Sequence, residues 1–489
     1  MLNLLQHEPN QKLKLSSCDP SHPFLLIFMF LTMSACQLTE KNISYDACLA
    51  GEAPCPEVCN GEDDDEDGLI DESLSEACIV LSSLKLERGD QSSGFGRALV
   101  AVPDVTGDGT SDLLVSSSRA PAEIDYSNPE EGAVSLIDGA SLQIIRTVKY
   151  GGDFGQSLAV VNFGDDNLLW CSGAPSKEGE NSTFGRVLCL DFEGNVVSSL
   201  RSESGKGFGL WLSTRNNEDQ NQLMISEPQW QKEGDNDEGA VGSRGRALLV
   251  SLQESNLTID QSIEGSNPGQ KIAERIISIG DSNEDGINDF LLTGYADSES
   301  EQRQVWVVSG EEGANLNRLK RFSTPEDTAG LFGESLAYGK FDSSLDYGLL
   351  AFGAPYVEGK DDALSLGRIY FTSLFGDPLG TSSARLQSET ELGLGVSMVT
   401  VKLGEQELLV SAGAGIVRVI YFKDGQAKVL EEFTSLPSGI RPVLSASQTL
   451  DADGTLKVWI GLPELATVRY LSLRPASQQP TSPQPIVYE

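Results

Sequence analysis

The dipeptide Phe-Gly returns along this chain as Phe95-Gly96, Phe154-Gly155, Phe208-Gly209 and Phe332-Gly333, each time opening a stretch of the same texture. An apolar run leads to a turn and then to a second apolar run. The second run ends in Gly173-Ala174-Pro175 or Gly353-Ala354-Pro355, or in the variants Ser226-Glu227-Pro228 and Gly461-Leu462-Pro463. Weaker copies open at Ile272-Ala273, Leu394-Gly395 and Ile440. The seven starts at 95, 154, 208, 272, 332, 394 and 440 are spaced by about 58 residues on average, a period that marks propellers and related arrays. A unit of this size made of short strands cannot bury its apolar faces alone. Seven copies fit a propeller, whose blades have four strands each.

Further strands follow each Gly-Ala-Pro position, among them residues 133–137, 186–190, 246–250 and 368–371, and a short strand such as 144–148 precedes the next Phe-Gly. The last copy ends near residue 473 without an outer strand of its own. An orphan strand, residues 83–87, precedes the first Phe-Gly. The expectation is that this orphan completes the last blade and closes the ring, because an open edge strand invites aggregation.

Between the two apolar runs of the first copy lies an acidic turn in which Asp104, Thr106, Asp108, Thr110 and Asp112 alternate, with Gly109 at its sixth position. The fourth copy repeats it as Asp281, Asn283, Asp285, Ile287 and Asp289 around Gly286. Such spacing wraps a short loop around one hard cation, since Ca²⁺ takes six to eight oxygen ligands. Carboxylates packed this closely repel one another without a cation between them. A solvated acidic turn is the alternative. The segment resembles the FG-GAP repeat of integrin α-chain propellers, whose pattern is Phe-Gly, an Asp-rich calcium loop, then Leu-Leu-Val-Gly-Ala-Pro. Phe95-Gly96, the loop and Leu113-Leu114-Val115 match, whereas Ser116-Ser117-Ser118 replaces Gly-Ala-Pro. The resemblance implies an adhesion or ligand-recognition protein whose blades are held by divalent ions. Copies two, three, five and six lack the loop, and a degenerate one carries Asp451-Ala452-Asp453-Gly454.

The amino-terminal region reads differently. Residues 24–34 form an apolar run too short to span a bilayer of roughly 30 Å, preceded by Lys12 and Lys14, which reads as a secretory signal. Met33-Ser34-Ala35-Cys36 resembles a bacterial lipobox, which would make Cys36 a lipidated first residue of an outer-membrane lipoprotein. Ordinary cleavage nearby is the other reading. A polar tether follows over 36–47. Residues 48–79 hold Cys48, Cys55, Cys59 and Cys78 around Asp63, Asp65, Asp67, Leu69 and Asp71, a set similar to the Asp-rich Cys-Asn-Gly metal-binding motif of bacterial surface proteins. Four cysteines in an exported block imply two disulfides, with three pairings that the sequence leaves open. Cys171 and Cys189, on strands either side of a Gly-Ala-Pro turn, read as a further disulfide or as two buried thiols. The expected order is thus signal peptide 1–35, tether 36–47, cysteine-rich motif 48–79, an all-β seven-bladed propeller over 80–474, and a Pro/Ser/Gln-rich tail over 475–489.

Charge and composition narrow the function. The net charge of −38 argues against nucleic acid and against charge-driven binding to anionic lipid, and favours divalent cations. The two histidines, His7 and His22, precede the expected cleavage point. A processed chain would therefore have no Ser-His-Asp or Cys-His catalysis and no His-ligated zinc. Arg88-Gly89-Asp90, the tripeptide integrins recognise, reads as an ordinary turn in a chain this rich in Gly and Asp. The reading is a non-catalytic, Ca²⁺-stabilised envelope protein that presents one propeller face to a protein or polysaccharide. The alternative is a surface hydrolase or lyase working through paired carboxylates.

Overall fold

The computed structural model describes residues 77–475, apart from 82–85, 88–93, 119–130, 164–167, 176–184, 203–206, 216–220, 233–241, 254, 297–301, 312–317, 324–330, 343–344, 346, 356–366, 375–384, 388–392, 405, 424, 435 and 437–439. The described elements form seven antiparallel sheets, each a meander of neighbouring strands. Blade 1 comprises Phe95–Val102, Asp112–Ser117, Gly132–Ile137 and Ile144–Tyr150. Blades 2 to 6 repeat this order, their first strands being Leu158–Asn162, Leu212–Arg215, Ile276–Ser278, Leu336–Gly339 and Ser397–Leu403. Blade 7 takes Val443–Ala446, Leu456–Leu462 and Thr467–Pro475 from its own repeat.

The fourth strand of blade 7 comes from the other end of the chain. Ala77–Leu81 pairs antiparallel with Thr467–Pro475, with Ala77 opposite Pro475 and Leu81 opposite Leu471. Leu86–Glu87 continues the pairing opposite Val468 and Thr467. Closure from the amino-terminal side is as expected, but the main closing strand begins earlier than residues 83–87 and starts three residues ahead of the boundary drawn at 80. Cys78, assigned from the sequence to the cysteine-rich block, lies on this strand.

Burial follows the position of each strand in its blade. Second strands are buried on both faces, as in Asp112–Ser117, Gln222–Glu227, Leu349–Ala354 and Leu456–Leu462, because a neighbouring blade lies against each side. Such strands read as continuous apolar runs, whereas the outer strand Ile144–Tyr150 is largely exposed. In blades 1, 2, 3, 4 and 6 the pairing of third and fourth strands shifts register once. A bulge of this kind adds local twist at the rim.

The buried apolar residues fall into seven clusters, one for every seam of the ring. Blades 1 and 2 share the first, blades 2 and 3 the next, and so on around to Trp459, Ala466 and Val468 of blade 7 against Phe95, Leu99 and Leu113 of blade 1. The leading residue of every repeat sits in the seam with the preceding blade: Phe95, Phe154, Phe208, Ile272, Phe332, Leu394 and Ile440 are all buried there.

The glycine that follows explains why the motif has two widely separated halves. A Cβ on Gly209 would lie 3.1 Å from Cα of Gly173 in the preceding blade, and one on Gly395 would lie 2.9 Å from Cα of Gly353. The glycine of Phe-Gly in one blade therefore packs backbone to backbone on the glycine of Gly-Ala-Pro in the last. It also has positive φ, +79° at Gly209, which L side chains rarely adopt. In blade 4 Ala273 holds the same place with φ 66°. Serine hydroxyls reinforce these seams: Ser157 Oγ donates to the Gly209 carbonyl at 2.7 Å and Ser335 Oγ to that of Gly395 at 2.6 Å. Within blade 2 a disulfide joins Cys171 and Cys189 across paired strands. It lies in the propeller and says nothing of the amino-terminal cysteines.

Candidate metal centres

The first and second strands of blade 1 run apolar and β-branched up to Val102 and again from Leu113, and the acidic turn fills the gap between them. Its shape comes from carboxylates accepting the loop's own amides. Gly107 N and Asp108 N donate to Asp104 Oδ1 at 2.6 and 3.2 Å, and Gly109 N donates to Asp104 Oδ2 at 2.7 Å. Thr110 N donates to Asp108 Oδ1 at 2.8 Å. From the far side, Val105 N and Thr106 N donate to Asp112 Oδ2 at 2.9 and 3.1 Å. The Thr106 hydroxyl reaches both ends of the loop, 3.2 Å from Asp104 Oδ1 and 3.4 Å from Asp112 Oδ1.

Blade 4 rebuilds the same scaffold from a different sequence. Gly286 N donates to Asp281 Oδ2 at 2.7 Å, as Gly109 does to Asp104. Ile287 N donates to Asp285 Oδ1 at 2.8 Å, as Thr110 does to Asp108. Ser282 N donates to Asp289 Oδ2 at 2.9 Å, as Val105 does to Asp112, and the Ser282 hydroxyl joins it. Asn283 Nδ2 adds a bond to Asp285 Oδ2 at 2.8 Å. The five alternating residues predicted for each loop are therefore gathered on one turn in both blades.

Two residues at each centre escaped the sequence reading. Gly139, after the third strand of blade 1, donates its N–H to Asp112 Oδ1 at 2.9 Å, and Gly310 does the same to Asp289 Oδ1 at 3.0 Å. Beside them Asp138 adds a further carboxylate near Asp112, and Ser309 Oγ donates to Asp285 Oδ2 at 3.3 Å. The signal was a short oxygen-bearing residue followed by glycine, Asp138-Gly139 and Ser309-Gly310, placed just beyond the third strand.

The electrostatics divide each loop into an open and a sealed end. Asp104 is exposed, and the amide of Gly109 above all, with those of Gly107 and Asp108, holds its carboxyl below the usual aspartate value. Asp112 and Asp289 are fully buried, and burial pushes both carboxyls up against the pull of their backbone donors. The donor set is all oxygen, as a hard cation requires, although Asp104 Oδ1 and Asp112 Oδ2 each already accept two loop amides. Among the described residues, however, no three Asp, Glu, His or Cys side chains converge closely enough to hold an ion. The residues present thus fit a cation in chemistry and backbone shape, and a bound ion would require their carboxylates to draw closer together.

The other residues singled out in the sequence fall elsewhere. Asp63, Asp65, Asp67, Leu69 and Asp71, with Cys36, Cys48, Cys55 and Cys59, lie outside the described residues. A second charged cluster ties blades 3, 4 and 5 together. Glu334 accepts Arg275 Nη2 at 2.6 Å and Arg303 Nη1 at 2.9 Å, Arg303 Nη2 meets Glu274 at 2.9 Å, and the Arg275 guanidinium lies 3.9 Å from the Trp211 ring centre. Its charges are mutually satisfied, which suits a structural tie better than a ligand site.

Residues 95–137 match the FG-GAP repeat. The match spans the first three strands of the blade and the whole acidic loop. No curated protein matches the chain. With the seven sheets, the FG-GAP match establishes a β-propeller of a kind consistent with a binding or adhesion-type protein. Among the described residues no helix is long and apolar enough to cross a membrane.

Proposed function

We propose that the chain is a non-catalytic binding or adhesion protein of the cell envelope, whose FG-GAP propeller is clipped by Ca²⁺ in blades 1 and 4 and offers its opposite face to a protein or polysaccharide. The observation that carries this reading is the duplicated scaffold around Asp104–Asp112 and Asp281–Asp289: two loops of different sequence keep the same amide-to-carboxylate bonds. Preserved shape with a preserved all-oxygen donor set is what a shared ion would require.

The strand order supports the division of labour. The acidic loops join first to second strands, on the same face as the Gly139 turn between third and fourth strands. Connections from second to third strands leave on the other face, and several are long, running from Ser117 to Gly132, Glu227 to Arg246 and Ala354 to Arg368. Loops on a rigid scaffold are where recognition resides. Attachment through a lipid on Cys36, at the outer membrane, follows from the lipobox-like sequence and belongs to the same proposal.

Two measurements test it. At free Ca²⁺ about a hundredfold above the dissociation constant, each ion adds about 2.7 kcal/mol. Thermal unfolding in excess Ca²⁺ and in EDTA should therefore differ by several degrees, and coincident curves would remove the clips. A glycan array run beside a polysaccharide-cleavage assay tests the rest: retention without turnover supports a binding protein, and turnover would replace it with an enzyme.

A further inference from the structure

We propose that the seam closing the ring carries its own cation, the Lys457 ammonium, at the place where blades 1 and 4 have the ninth residue of an acidic loop. Strand pairing sets the equivalence. Leu99 lies opposite Val115, Ile276 opposite Leu292, and Leu444 opposite Ile460, each partner three residues beyond Asp112, Asp289 and Lys457 respectively. A lysine thus replaces a buried aspartate while the loop in front of it keeps Asp451, Asp453 and Gly454.

The ammonium is held as an ion would be. Lys457 Nζ donates to the Gly139 carbonyl at 2.9 Å and lies 3.4 Å from Asp451 Oδ2. That oxygen is buried and has no hydrogen-bond partner, so the ammonium is what balances it. The rings of Trp459 and Tyr470 flank the charge, with centroids 5.8 and 5.5 Å from Nζ. Both residues of the pair are buried.

The contact spans the closure. Asp451 and Lys457 belong to blade 7 and Gly139 to blade 1, whose N–H is bonded to Asp112. Asp451 Oδ1 accepts Ser111 N at 2.9 Å, and Ala452 N donates to the Gly109 carbonyl at 2.8 Å. Blade 7 therefore grips the acidic loop of blade 1 and the adjoining Gly139 turn through three bonds, two of them made by Lys457 and Asp451. The fixed charge makes this grip independent of any divalent ion.

The experiment uses the full chain. In EDTA, Lys457→Met should lower Tm by about 4–6 °C, since it strands a buried carboxylate. The same fall should appear in Ca²⁺, and amide exchange at Ser111 and Ala452 should accelerate. Lys457→Arg should retain most of the stability. The double variant Asp451→Asn/Lys457→Met should lose less than Lys457→Met alone. Lys457→Asp, whose prediction rests on the calcium reading of blades 1 and 4, should bind one more Ca²⁺ per chain than the parent and recover its Tm on adding Ca²⁺. Unchanged melting and exchange in Lys457→Met, or a double variant no better than the single, would overturn the proposal. If the parent itself proves indifferent to Ca²⁺, the clips fall while the Lys457→Met comparison in EDTA still decides this seam.

Discussion

Replacing Gly353 by alanine isolates the backbone contact on which the seams depend. Gly353 lies in the second strand of blade 5, and an added Cβ would stand 2.2 Å from the Gly395 carbonyl oxygen of blade 6 and 2.4 Å from Ser335 Oγ. Contacts below 3.0 Å are not tolerated by real Cβ atoms, and the nearer obstacle is backbone, so blade 6 must move away. Overpacking of this kind costs about 1–3 kcal/mol. The shift also breaks the 2.6 Å bond from Ser335 to Gly395, worth about 1 kcal/mol net. The sum is about 2–4 kcal/mol.

Unfolding entropy near 2.1 cal/mol/K per residue over roughly 400 residues gives about 0.8 kcal/mol per degree. The expected fall in Tm is then about 3–5 °C, read by calorimetry or near-ultraviolet circular dichroism in the presence of Ca²⁺. Gly425→Ala is the control. Gly425 has φ +71° with no heavy atom within 4 Å of an added Cβ, so only conformational strain is introduced. That strain, about 1–2 kcal/mol, is partly offset by the lower entropy of the unfolded alanine chain. A Gly353→Ala fall no larger than that of Gly425→Ala would refute the close-approach account of the repeat motif.

Three further outcomes are expected. Burial pushes the Glu334 carboxyl up, but the Arg275 and Arg303 guanidiniums outweigh it and hold it below the ordinary 4.5. A depressed carboxyl stabilises the fold above the unfolded value and loses that contribution as pH falls, so Glu334→Gln should cost about 3–5 kcal/mol at pH 7 and flatten the acid side of a stability–pH curve. An equal loss at pH 7 and pH 3 would contradict it. The Cys171→Ser/Cys189→Ser variant opens a loop spanning 18 residues and should lose about 3 kcal/mol in denaturant titrations. A chain begun at residue 90 lacks the strands that cover Thr467–Pro475 and should both melt earlier and associate on size exclusion; a monomer of unchanged Tm would show that the closing strand is dispensable.

The sequence disclosed what is set locally. Phe-Gly, the alternating oxygens and the glycine at the sixth loop position lie within a few residues of one another, so blade number and both acidic loops could be read directly. Partners set by ring closure left no such trace. Ala77 meets Pro475, Gly139 meets Lys457, and Asp451 meets Ser111 only once the first and last blades are side by side. Ala273 shows a different limit: packing in the seam imposes a positive φ on a residue whose identity does not announce it.

The single backbone position occupied by Asp112 also accounts for where acidic residues stand in the other repeats. Around the ring it is filled by Asp112, Leu169, Gln222, Asp289, Leu349, Leu408 and Lys457, and every one of them is buried. A polar group there must be paired or it destabilises the fold. Aspartate is paired by loop amides, and Gln222 by Arg215 at 3.0 Å together with Asp260 at 2.5 Å. Leucine needs no partner, so the turns of blades 2, 5 and 6 have no buried polar group to satisfy at this position. Lysine needs a carboxylate, which Asp451 of the loop supplies. Asp451 therefore serves in blade 7 as a counter-ion, and this pairing gives the acid of residues 451–454 a role that needs no divalent ion.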